Sequence, residues 1–119
     1  MNQAVVRVNE VIGTPNAILG SQGSKLYTAL KEALERGQAV VLDFDGIRVL
    51  NSGFCNAAVG RVYRERGIEA DQLIKVENLL NERMQAALND AIALGQNPNL
   101  LKAMQETMEA EFRSRPGDE

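Results

Sequence analysis

The stretch Val40-Val41-Leu42-Asp43-Phe44-Asp45-Gly46-Ile47, followed shortly by Leu50-Asn51-Ser52-Gly53-Phe54, decides the fold. Ala39 to Phe44 is a near-continuous apolar run placed directly behind a helix-like segment. That pattern suits a strand buried on both faces of an α/β sheet. The run breaks at Asp45-Gly46, a pair typical of turns. Ile47, Val49 and Leu50 then make a short apolar piece. Asn51-Ser52-Gly53 opens a helix that carries Phe54, Ala58 and Val62 on one side and ends near Gly67.

Working outward, Ser21 to Arg36 reads as a helix. Leu26, Leu30 and Ala33/Leu34 recur at helical spacing, and Gly37 stops it. Further upstream, Ala4 to Ile12 is β-branched and ends at Gly13-Thr14-Pro15-Asn16, which predicts a strand and a turn. Ile18 and Leu19 predict a short second strand. Downstream, Gln72 to Val76 reads as a strand. Leu80, Met84, Ala87/Leu88 and Ala91/Ile92 mark a helix ending at Gly95. Asn97-Pro98 then offers an N-cap and a first-turn proline for one more helix. The expected architecture is α/β: a small β-sheet with helices packed against it over residues 1–96, plus an extra C-terminal helix and a frayed tail over 97–119.

Composition removes several kinds of chemistry. The chain has 119 residues, enough for one ordinary domain. It contains no histidine, which excludes a Ser-His-Asp or Cys-His mechanism within the chain and any His-ligated metal. Cys55 is the single cysteine, so no internal disulfide can form, and a small chain without a disulfide framework reads as cytoplasmic. The net charge is −3 and aromatics are 4%, with no basic block, so neither phosphate-backbone binding nor base stacking is expected. No segment approaches the ~20 apolar residues of a membrane span, and the N-terminus has no signal-peptide run.

Two motif readings compete for the central stretch. The string from Val40 to Ile47 looks like the first motif of haloacid-dehalogenase-type phosphatases, an apolar strand followed by Asp-x-Asp-Gly. That resemblance would make Asp43 a nucleophile and Asp45 an acid/base in a Mg²⁺-dependent reaction. Such a reaction needs a cation on the phosphate and further carboxylates for the metal. Downstream there is no strand ending in an Asp pair and no suitably placed Lys: Lys75 lies inside a strand and Lys102 on the final helix. The motif also falls on a later strand, whereas that family opens with it.

The second resemblance is longer, covering roughly residues 4 to 95. Helix 21–36, strand 39–44, the Asp-Phe-Asp-Gly-Ile turn and the Leu50-Asn51-Ser52-Gly53-Phe54 helix start resemble the STAS domains of sulphate transporters and anti-sigma-factor antagonists. They resemble still more closely the bacterial STAS-like family of small proteins. In the antagonists the loop reads Asp-Ser-Ser-Gly, and the Ser after the Asp is phosphorylated by a partner kinase. Here Asn51-Ser52-Gly53 stands in that place, with Asn for Asp and one residue fewer. The resemblance implies a non-catalytic regulatory protein. It would bind a protein partner, such as a regulatory kinase, an ATPase or a defence-system component, through Asp45, Gly46, Asn51, Ser52, Gly53 and Phe54. Ser52 would be the phosphorylated residue. It implies no cofactor and no metal. A small acidic chain also fits an inhibitor from a phage or mobile element that acts by binding.

Simpler readings stand beside these. Ser52, just before a helix, suits an N-cap. Gly20-Ser21-Gln22-Gly23-Ser24-Lys25 lacks the Walker spacing and reads as a turn with Ser21 or Ser24 as cap. Cys55 sits in a first helical turn, where a thiol's pKa falls, yet a free cysteine of this size usually packs in the core. Arg61 and Arg64 near a helix end suit its dipole. Leu101, Met104, Met108 and Phe112 form an apolar stripe on the last expected helix, a candidate homodimer interface.

Overall fold

A computed structural model describes residues 3–96. The expected extra helix, its stripe Leu101, Met104, Met108 and Phe112, and the tail lie outside the described residues. Three parallel strands form the main sheet: β1 (Gln3–Arg7), β3 (Ala39–Asp43) and β5 (Ile74–Glu77), in the order β1-β3-β5. The register pairs Val5 with Val41 and Val41 with Lys75. A second, two-residue parallel pair joins β2 (Asn16–Ala17) to β4 (Val49–Leu50). The helices are α1 (Val8–Ile12), α2 (Gly20–Glu35), α3 (Ser52–Cys55), α4 (Arg61–Arg66), α5 (Glu69–Leu73) and α6 (Glu82–Gln96). The α/β expectation of a small sheet with packed helices therefore holds.

The sheet departs from expectation in one respect. Burial along β3 alternates rather than running through: Val40 and Leu42 are buried, while Ala39, Val41 and Asp43 are half-buried. Val6 and Ile74 continue the buried face, and Val5 is exposed on the other. Among the described residues the helices cover one face only, so an apolar run does not here mean a strand covered on both sides.

Three element boundaries also move. The strand expected from Ala4 to Ile12 stops at Arg7, and Val8–Ile12 makes a short helix closed by Gly13 in a left-handed conformation. Tertiary burial of Val8 overrides the β-branched composition there. The expected strand at Ile18-Leu19 lies two residues earlier, at Asn16–Ala17. Gln72 and Leu73 belong to α5, and β5 begins at Ile74.

The core is aliphatic, built from Leu26, Leu30, Val40, Leu42, Val59, Val62 and Leu88 with Phe44 and Phe54. Helix 52–66 runs through its middle and contains a π-helical turn at Asn56–Gly60. Both neighbouring helices approach this region through glycine. A Cβ on Gly23 of α2 would lie 2.6 Å from the Phe54 carbonyl oxygen and 2.7 Å from Ala57 Cβ. A Cβ on Gly95 of α6 would collide with the Gly60 carbonyl. On the outer side, the Tyr27 hydroxyl donates to Glu65, and the Arg61 guanidinium stands 4.0 Å from the Tyr27 ring centre, tying α2 to α4.

Candidate functional site

The predicted surface falls into two parts with different chemistry. The first is the end of β3. Asp43 Oδ1 accepts hydrogen bonds from the Asp45 backbone N–H and from Asn78 Nδ2, each at 2.9 Å. The Asn78 bond, then the Asp45 N–H, hold the Asp43 carboxyl below its ordinary pKa against the opposing effect of burial, and Arg7 adds a smaller pull. Arg7 Nε stands 4.0 Å from Asp43 Oδ2. Asn78 has φ 63°, a left-handed conformation that asparagine tolerates. Gly46 has φ +83°, and a Cβ there would lie 2.7 Å from Asn9 Nδ2. This turn therefore needs its glycine for the backbone sign, while the Asn9 side chain, free at its far end, could move aside for a Cβ. Asp45 and Gly46 are exposed. The Asp43 carboxylate is committed to holding the turn. Among the described residues no three acidic, cysteine or histidine side chains gather into a set that could hold a metal ion.

The second part is the start of helix 52–66. Arg48 N–H donates to Pro15 O at 2.8 Å, and Asn51 N–H donates to Ala17 O at 3.1 Å, so residues 48–51 are laid along β2. Asn51, not Ser52, is the N-cap: its Oδ1 accepts from Phe54 N–H at 2.9 Å. Ser52 is the first helical residue, and its side chain is free of the capping role expected for it. Ser52 and Gly53 are exposed. Phe54 is 1% exposed and belongs to the core, so it drops out of the surface set. The phenylalanine one turn into the helix is the wedge that seats it.

Because β2 and β4 are parallel, the helices that follow them, α2 and α3, start side by side. Extending the Ala17–Leu50 register sets Ile18 and Leu19 beside Asn51 and Ser52. Gln22 Oε1 accepts from Ile18 N–H and Leu19 N–H, at 3.0 and 2.9 Å, which fixes the α2 start without Ser21 or Ser24 as cap. Ile18 is 43%, Leu19 57% and Val49 44% exposed. These three apolar side chains were missed as surface residues. The sequence reads Ile18 and Leu19 as strand and Val49 as part of a short apolar piece, and only the pairing register sets Ile18 and Leu19 beside Asn51 and Ser52, with Val49 opposite Asn16.

Cys55 takes its bland role. It is buried, and burial pushes its thiol pKa up to about 12, so the first-turn position does not activate it. Tyr63, also buried, has its hydroxyl pKa raised by burial and by donating to Asp71 Oδ1 at 2.7 Å. No helix among the described residues is long and apolar enough to cross a membrane.

A small parallel sheet backed by helices, with the central strand's turn leading into a polar helix start, defines a STAS-like α/β domain. The family model of a STAS-like domain of unknown function (DUF4325) matches residues 22–84, and the chain belongs to that family. The matched span runs from the first turn of α2 to the first turn of α6 and contains the β3 turn and the start of helix 52–66, while Ile18 and Leu19 lie just before it. No curated protein and no solved structure matches the chain.

Proposed function

We propose that this chain is a non-catalytic regulatory module of the cytoplasm that binds a protein partner through the start of helix 52–66. The observation that carries this reading is the exposure of the apolar Ile18 and Leu19, which the β2–β4 register sets beside Asn51 and the exposed Ser52, with exposed Val49 on the neighbouring strand. Apolar side chains ringed by small polar groups are the composition of a binding patch. Asp45 and Gly46 at the strand end extend the surface. Ser52 serves as a modifiable position: a phosphate there meets free first-turn N–H groups and the positive end of a helix that continues to Arg66. The added charge would be tolerated by the domain and read by the partner. The partner class is a regulatory kinase, an ATPase or a defence-system component. The engaged Asp43 carboxylate supports a structural rather than a nucleophilic role for that residue.

Photo-crosslinking amino acids placed one at a time at Leu19, Val49 and Ser52 test this in cells, with Lys31 and Gln85, exposed on α2 and α6, as controls. The expected result is one common crosslinked protein from the first three positions and none from the controls. The same product from all five positions, or products from the controls alone, contradicts the reading.

A further inference from the structure

The two outer strands of the main sheet are built differently. β5 alternates Lys75 with Glu77 and is followed by Asn78, whose φ of 63° breaks the extended backbone. Charges and a bent end are the usual guards of an edge strand. β1 has neither: Gln3-Ala4-Val5-Val6-Arg7 is strand throughout, carries no proline and has one charge, at its last residue. It pairs only with β3, and among the described residues no other segment hydrogen-bonds to its outward edge. Val5 is 59% exposed, the one exposed large apolar side chain of the main sheet among the described residues.

We propose that β1 pairs with β1 of a second copy of this chain, antiparallel and centred on Val5, joining two three-stranded sheets into one. The side chains favour this occupant. Residues directly opposite in an antiparallel pair share a face of the sheet. With Val5 opposite the second copy's Val5, Gln3 falls opposite its Arg7 and Ala4 opposite its Val6. The exposed face then brings two valines together and sets each Arg7 guanidinium against a neutral amide. Like charges meet nowhere along the strand. On the helix-covered face, half-buried Ala4 meets Val6 and extends the core across the junction. A two-fold axis through the Val5 pair makes each flanking contact occur twice, the usual form of a homodimer. Strands this short bury little area, so the dimer is a weak one that forms and parts with concentration. The inference does not depend on the partner surface at the start of helix 52–66.

The test places single cysteines on β1 of the full chain; Cys55 is buried, and the unsubstituted chain is its control. In the proposed register the two Cα atoms at position 5 lie about 4.5–5.5 Å apart, within disulfide reach, and those at position 3 about 14 Å apart. Under mild oxidation by glutathione disulfide, Val5→Cys should cross-link to itself at least tenfold faster than Gln3→Cys. Mixed Gln3→Cys and Arg7→Cys chains should cross-link to each other. Sedimentation velocity of the native chain should show a dimer that grows with concentration. Val5→Lys sets two ammonium groups opposite each other and should weaken that dimer at least tenfold at an unchanged Tm. If Val5→Lys lowers the Tm, the cysteine pattern decides by itself. A native chain that stays monomeric at ~1 mM overturns the proposal. So does equal self-cross-linking at positions 3 and 5, or a dimer that persists unchanged in folded Val5→Lys.

Discussion

The turn after β3 and the start of helix 52–66 lie only a few residues apart, yet they are built on opposite terms. At the turn, the Asp43 carboxylate is consumed internally, bonded by the Asp45 N–H and Asn78, and Gly46 holds a left-handed conformation. At the helix start a single residue, Asn51, does the capping, and this leaves Ser52 and Gly53 exposed near Ile18 and Leu19. The difference teaches where function can reside. A side chain already engaged in holding the backbone cannot be modified or bound without loss of the fold, whereas an exposed serine next to a completed cap can.

Substitutions can break this contrast, and the largest effect should come from below the surface. Gly23 seats α2 against the carbonyl of Phe54 and against Ala57, both immovable neighbours. Gly23→Val should cost more than ~2 kcal/mol through overpacking, and thermal unfolding should show a fall in Tm of roughly 10 °C or more. A near-unchanged Tm would mean that the two helix starts are not held together by this contact.

Asp43→Ala removes the acceptor of two hydrogen bonds at once and should cost about 1–3 kcal/mol. The pH dependence has a definite sign. The folded-state pKa of Asp43 is depressed, so its contribution is present above the unfolded carboxyl pKa and fades as pH falls through the folded one. Denaturant titrations of the native and Asp43→Asn proteins should therefore converge as the solution is acidified below pH ~4. Parallel curves across that range would deny the turn its electrostatic role.

Smaller again is the cap. Asn51→Ala should cost ~1 kcal/mol by orphaning the Phe54 N–H. Ser52→Ala should cost less than ~0.5 kcal/mol, since Ser52 holds no cap. Equal losses at the two positions, measured by chemical denaturation, would return the capping role to Ser52. Cys55 supplies a check with almost no perturbation. Its buried, high-pKa thiol should resist iodoacetamide at pH 8 in the folded protein and react promptly in denaturant. Fast labelling of the folded chain would show that the helix start opens.

Much of this organisation was legible in the residues. The apolar run, the Asp45-Gly46 break and the helix stop at Gly37 placed β3, its turn and α2, because these depend on local periodicity and turn chemistry. The Asn51-Ser52-Gly53 helix start was legible for the same reason. What stayed hidden depends on contacts between distant segments. The cap went to Asn51 because the pairing of Asn51 with Ala17 sets where the strand ends. Phe54 turned inward although Ser52 and Gly53 just before it are exposed. The π-helical turn at Asn56–Gly60 leaves no mark in a pattern of Ala, Val and Gly. Ile18 and Leu19 looked like strand residues until the β2–β4 register set them at the strand end, beside Asn51 and Ser52.

The central claim is that the helix start presents a binding surface while the neighbouring turn holds the fold. The most direct measurement pairs Tm with affinity for the crosslinked partner, by calorimetry, in Ser52→Asp. A carboxylate in a first helical turn favours the helix dipole, so Tm should stay within a few degrees of the native value while Kd for the partner changes at least tenfold. An unchanged Kd at unchanged Tm, or a Kd change that merely follows a large loss of Tm, would contradict the account.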